Sequence, residues 1–180
     1  MPRYSAVLTV FNAEKTVMSA LNSIIAQSTE PSEIIIVDDC STDNTFQIVN
    51  KVEAANSNIS YFRNEVNLGV AYSRNFAVQM AKNQNVIFFD DDDISLPNRA
   101  SMHLQHLDSG VDVSFVSSSK IYANGYRVDN FLTNFVGKLQ VREFIRNQIL
   151  GGADKFSTPA SCMAIKKDIF PDVGAFDQTL

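Results

Sequence analysis

From Tyr4 to Phe11 the chain reads YSAVLTVF, apolar and β-prone, which predicts a first strand. Over Ala13–Gln27 the apolar side chains fall at Val17, Leu21, Ile24 and Ile25, the spacing of one helix face. Glu33–Asp38 carries Ile34, Ile35, Ile36 and Val37 without a polar break. Such a β-branched run suits a strand buried on both faces, as in a parallel sheet. Ser41, Thr42 and Asp43 are helix-capping types, and Phe46, Ile48, Val49 and Val52 continue as a helix. Ile59–Arg63 predicts a short strand, Val70–Lys82 an Ala-rich helix without a breaker, and Val86–Asp90 another short apolar strand. Pro97 suits the first turn of a further helix, which Gly110 would end.

Strand and helix thus alternate four times, the pattern of an α/β fold with a mostly parallel sheet flanked by helices. After Gly110 the pattern changes. Val111–Tyr122 predicts a longer strand, Asn124-Gly125 is a hairpin signal, and Tyr126–Leu132 would return antiparallel. Lys138–Leu150 reads as a helix and Ser161–Ile165 as a strand. No repeat, linker or low-complexity segment interrupts the 180 residues, so a single domain is expected over 1–180.

Charge sharpens this picture. The formal net charge is −5, and Asp90, Asp91, Asp92 and Asp93 account for all but one unit of it. Excess acid gathered in one place points to a site rather than to an acidic surface, and it argues against nucleic acid as a partner. Two such charges about 5 Å apart repel by roughly 3 kcal/mol at an effective dielectric near 20. No apolar run approaches a membrane span, and the apolar run before Asn12 is too short for a signal peptide. A cytoplasmic protein is the expectation, with membrane association of a longer chain left open. Cys40 and Cys162 stand far apart, without metal-ligand spacing, and are expected as reduced thiols.

In open α/β sheets, ligands bind outside the carboxyl ends of the strands. Two acidic groups fall there: Asp38-Asp39 within IIIVDDCSTDNT, and Asp90–Asp93 within FFDDDDISLP. All six carboxylates would share one sheet edge if the two strands are parallel. A D-x-D pair suits Mg²⁺ or Mn²⁺, hard ions that take one or two protein carboxylates together with substrate phosphates. On an extended segment Asp90 and Asp92 would point to one face and Asp91 and Asp93 to the other. The competing reading is a solvated acidic turn. At Asp38-Asp39 a carboxylate could accept a hydrogen bond from a ring N–H such as that of uracil, while Asp43 reads as a cap only. NEVNLGVAYSRN contributes a loop at Asn67 and Gly69, followed by Arg74, which could pair with carboxylates, stack on a base or make a surface ion pair. His103 and His106 are spaced i, i+3 but lack a third ligand nearby in sequence. Neither a G-x-x-x-x-G-K-[ST] loop nor a G-x-G-x-x-G fingerprint is present, and the EF-hand pattern fails.

Taken together, SAVLTVFNAEKTV, IIIVDDCSTDNT, NLGVAYSRN, FFDDDDISLPNR and STPASCMAIKKDIFPDVGAFDQTL resemble the family 2 glycosyltransferases of GT-A fold, in the same order and over nearly the whole chain. The resemblance implies a nucleotide-diphosphate-sugar donor, a UDP-sugar above all, and transfer of the sugar to an acceptor hydroxyl with inversion. It implies that Thr9, Phe11 and Asp39 hold the base, with Arg74 beside it and Asn67 among the donor-binding residues. Asp90–Asp92 would form the D-x-D region, Asp91 near the ribose, and Asp92 with Asp90 would ligate Mn²⁺ or Mg²⁺. The acceptor would be a saccharide or a lipid-linked glycan, as in surface polysaccharide assembly. Residues 1–110 would form the nucleotide-binding half and 111–180 the start of the acceptor half.

Val10 stands where the family often has Pro, and Cys40 where it often has Gly. The acidic pair that supplies the family's general base has no match up to Leu180, so the base is expected beyond that residue and the chain is expected to be the donor-binding portion of a longer domain. Two rival readings are a metal-dependent phosphoryl-transfer domain and a non-catalytic cation- or nucleotide-binding module. The first usually has an acidic group after its first strand, where this chain has Phe11-Asn12.

Overall fold

The computed structural model describes residues 3–121, 124, 126–130, 160–170 and 175–176. Four strands come from the first half: β1 (Tyr4–Val10), β2 (Glu33–Asp38), β3 (Ile59–Arg63) and β4 (Asn85–Asp90). Helices α1 (Val17–Ile25), α2 (Thr45–Ala55) and α3 (Val70–Met80) connect them, and α4 (Arg99–Asp108) follows β4. The later strands are β5 (Val113–Phe115), β6 (Ser118–Ile121), β7 (Arg127–Asn130) and β8 (Met163–Lys166). The main sheet has the order β3-β2-β1-β4-β8-β5. Its first four strands are parallel, and β8 runs antiparallel to both β4 and β5.

The unbroken apolar runs are explained by burial on both faces. Alternate β1 residues Tyr4, Ala6, Leu8 and Val10 pack with Val17, Leu21 and Ile24 of α1, Val49 of α2 and Leu104 of α4. Val7 faces the other way, with Ile35, Phe88 and the α3 residues Ala77 and Val78. Each buried Leu or Ile side chain contributes about 1.5–3 kcal/mol of transfer free energy. Among the described residues no helix is long and apolar enough to cross a membrane.

Three expectations are corrected. The predicted helix over Ala13–Gln27 forms only from Val17: residues 14–16 make a turn closed by the Thr16 and Val17 N–H groups on the Ala13 carbonyl, and the N–H groups of Asn12, Ala13 and Glu14 donate to side-chain oxygens of Ser41, Thr45 and Asp43 at 2.9, 2.8 and 3.0 Å. Asp43 therefore does more than serve its own helix start, where it accepts the Thr45 N–H and hydroxyl: its other oxygen takes the Glu14 N–H. The predicted strand over Val111–Tyr122 divides in two. β5 joins the main sheet, whereas β6 leaves it to pair with β7 in a separate antiparallel ribbon. The small polar run Ser117–Ser119 offers no apolar side chains to hold both faces of a continuous strand in the core. The third correction, at the acidic run, concerns the site below. The predicted helix over Lys138–Leu150 lies outside the described residues.

Candidate functional site

Parallel pairing brings the carboxyl ends of β1, β2 and β4 to one sheet edge, and the N-terminus of α3 opens beside them. A cavity of about 430 Å³ lies there, within the usual range for small-ligand sites. It is lined by Thr9, Val10, Phe11, Asp39, Asn67, Gly69, Val70, Arg74, Asp90, Asp91 and Asp92. Every residue singled out from the sequence for the donor or the metal is therefore on one wall or another of the same cavity.

Asp38 and Asp39 part company at the end of β2. Asp38 is fully buried beneath the cavity and accepts from the Ser41 N–H at 2.8 Å and from the Tyr61 phenol at 2.6 Å. Burial, followed by the bond to Asp38, pushes the Tyr61 phenol far above its usual range. Asp39 turns into the cavity wall. One of its oxygens accepts from Asn64 Nδ2 and the Leu68 N–H, both at 2.8 Å, and the other from the Gly69 N–H at 2.7 Å. Both ends of the 64–69 loop are thus held by one carboxylate. Gly69 has φ +87°, a conformation that side-chain-bearing residues resist, and it delivers the chain into α3. Cys40 holds φ +66° where the chain leaves β2, a strained value for a residue with a Cβ.

At the end of β4 the chain does not stay extended. Asp93 donates its N–H back to the Asp90 carbonyl at 3.4 Å, a turn that cancels the expected alternation of side chains. Asp90, Asp91 and Asp92 consequently all line the cavity, while Asp93 does not. Of the six carboxylates expected at this edge, four face the cavity: Asp39, Asp90, Asp91 and Asp92. The turn is acidic and solvated at Asp92 and Asp93, as the competing reading had it, and it also forms one wall of the cavity through Asp90, Asp91 and Asp92.

Positive groups offset the crowded charge from three directions. Arg74 Nη2 meets Asp90 Oδ1 at 2.6 Å, and the Phe11 N–H donates to Asp91 Oδ2 at 3.0 Å. Arg99 lies below, 8% exposed, with its guanidinium 4.3 Å from the Phe89 ring centroid. It donates to the carbonyls of Phe88 and Ser161 and to Ser95 Oγ. Burial lowers its pKa to about 10, and the charges of Asp93 and Asp90 oppose that shift. Asp91 is held above the usual carboxyl range, first by burial and then by Asp92 and Asp90. Arg99 was not picked out from the sequence; a lone cation six positions after the acidic run, in LPNRA, was the available signal.

Among the described residues no group of three or more His, Cys, Asp or Glu side chains could hold a metal by itself. His103 and His106 both direct Nδ1 at Ser114 Oγ, at 3.0 and 2.8 Å, and serve packing.

The architecture is that of GT-A glycosyltransferases. Staphylococcus aureus TarS in complex with UDP superposes with a TM-score of 0.70 over 99% of this chain and 51% of that one, at 24% identity. TarS in complex with UDP-GlcNAc aligns at 33% identity and a TM-score of 0.56, over 62% of this chain and 33% of TarS. The family described as Glycosyl transferase family 2 matches residues 5–174, and the chain belongs to it. Similar relatives include WfaP of Escherichia coli, a UDP-Glc:alpha-D-GlcNAc-diphosphoundecaprenol beta-1,3-glucosyltransferase, at 31% identity over 68% of this chain and 47% of WfaP. An uncharacterized glycosyltransferase of Haemophilus influenzae is 28% identical over 98% of this chain and 57% of its own length. The chain thus spans about half the length of the curated relatives it matches.

Proposed function

We propose that the cavity at the β1, β2 and β4 ends binds a nucleoside-diphosphate sugar, with a UDP-sugar as the preferred donor. The sugar would pass with inversion to the hydroxyl of a saccharide or lipid-linked acceptor. The observation that carries this reading is the convergence of Asp39, Arg74, Asp90, Asp91 and Asp92 on one cavity. Family membership, the UDP-GlcNAc complex of TarS and the lipid-linked acceptor in the name of WfaP support it.

Asp39 keeps acceptor capacity for a base N–H, since one of its oxygens receives a single donor. Thr9 and Phe11 would flank the base, Asn67 would complete its rim, and the planar Arg74 guanidinium would face it. Asp91 would meet the ribose. No donor among the described residues reaches the Asp92 carboxylate, whereas Asp90 is already engaged by Arg74. This hard-oxygen pair fits Mn²⁺ or Mg²⁺, with Asp92 the principal ligand and Asp90 the second. When bound, the ion would offset the charge that gathers on the departing nucleoside diphosphate. Residues 1–110 would serve as the donor half, with 111–180 leading into the acceptor half. We assign no general base to this chain.

Calorimetry with UDP tests the reading. UDP is expected to bind in the presence of Mn²⁺, and to bind at least about tenfold more weakly without the ion or in Asp92→Asn. Absence of UDP binding with metal present would refute it.

A further inference from the structure

Arg74 reaches Asp90 through a single ion pair, and its Nε is buried without a hydrogen-bond partner. One contact at the tip of a long side chain does not fix the plane of a guanidinium, because the rest of the stem keeps its rotamer freedom. The plane is set by what lies beneath it, and here that is Phe176, whose ring centroid is 5.6 Å from the Arg74 Cζ. The ring is fixed in turn. It stands edge-on to Phe88 of β4, with centroids 5.3 Å apart and planes at 82°, and it also contacts Phe170. The Phe176 backbone is held by Asn75: its N–H donates to Asn75 Oδ1 at 2.8 Å, and its carbonyl accepts from Asn75 Nδ2 at 2.9 Å.

These contacts close a circuit. Arg74 and Asn75 are neighbours on α3; Arg74 pairs with the end of β4, β4 packs on Phe176 through Phe88, and Phe176 returns to Asn75. Asn75 is 4% exposed, so its amide is matched to the backbone N–H and carbonyl of one residue 101 positions away and has no solvent to fall back on. A simple space-filler at this position would need no amide. The site's cation and the support of that cation are thereby tied to the same turn of one helix.

We propose that Asn75 and Phe176 are positioning residues that orient Arg74, and through it Asp90, for nucleoside-diphosphate binding. The proposal rests on the donor-site reading above, and wild-type UDP binding with Mn²⁺ is the control that separates the two. If the wild type fails to bind, the donor-site reading fails; if it binds, the variants decide the role of Asn75 and Phe176.

The test is a double-mutant cycle read by calorimetry with UDP and Mn²⁺. Asn75→Ala and Phe176→Leu are each expected to weaken UDP binding by about 5- to 30-fold in the native background. In an Arg74→Ala background each is expected to change it by less than about twofold, because the group they orient is gone. A merely structural role would lower thermal stability equally in both backgrounds and leave UDP affinity uncoupled from Arg74. Equal weakening in both backgrounds, or native affinity in folded Asn75→Ala, overturns the proposal. Should Asn75→Ala fail to fold, Phe176→Leu keeps the backbone clamp and decides the matter by the same cycle.

Discussion

The Phe11 backbone N–H donates to the Asp91 carboxylate at 3.0 Å, joining the ends of β1 and β4 across 80 residues of sequence. The bond is solvent-exposed and joins two residues that line the cavity, so its contribution to stability is small while it ties two walls of the site together. Asp91→Ala is expected to change unfolding free energy by less than about 1.5 kcal/mol and to weaken UDP binding about tenfold. Urea unfolding and calorimetry on the same sample check both halves. Native affinity would show that Asp91 is not part of the site.

Asp39→Asn keeps the shape of the side chain but turns an acceptor into a donor. One or more of the Asn64, Leu68 and Gly69 donors would then face an amide NH₂. A loss of about 2 kcal/mol is expected, concentrated in the 64–69 loop. Faster hydrogen exchange at the Leu68 and Gly69 amides, with unchanged exchange in β4, is the expected signature.

Cys40→Gly removes the Cβ from a residue at φ +66°. The left-handed conformation penalises a non-glycine residue by about 1–2 kcal/mol, part of which the more flexible unfolded glycine cancels. Net stabilisation of about 0.5–1 kcal/mol is expected in denaturant unfolding. A destabilised variant would mean that the weak contact of Cys40 Sγ with the Glu65 carbonyl matters more than the strain.

His103 supplies a pH test. Burial, then the nearby charges of Arg99 and His106, hold its pKa well below the usual imidazole value. Below about pH 6.5 the unfolded chain takes up a proton that the folded chain refuses, so stability falls with acid by up to about 1.4 kcal/mol per pH unit until the folded pKa is reached. Above that range this group adds no slope. His103→Gln lacks the group, and its unfolding free energy is expected to fall less steeply than the wild type's between pH 6.5 and 5. Parallel slopes would contradict the assignment.

Sequence reasoning located the strands well where burial on both faces leaves an unbroken apolar run, as at Ile34–Val37 and Val86–Phe89. It located the cavity residues because acids that follow such runs fall on the carboxyl edge whenever the strands are parallel. It failed where the deciding contact is distant. The turn ahead of α1 is held by oxygens of Ser41, Thr45 and Asp43, about thirty residues away, which no periodicity within Ala13–Gln27 could reveal. The division of Val111–Tyr122 depends on a change of sheet. The facing of Asp90–Asp92 depends on one turn that breaks the two-residue alternation. Asn75 sits in a recognisable motif, yet its partner at Phe176 lies 101 residues on.

One consequence of the strand order concerns length. β1 lies between β2 and β4, so Asp39 and Asp90 close strands two spacings apart, about 10 Å. That gauge is cut by backbone hydrogen bonds and not by any side chain. Evolution can therefore rewrite the chemistry at either end of the groove residue by residue, altering which groups are welcomed there, while the reach demanded of the molecule that bridges them stays the same.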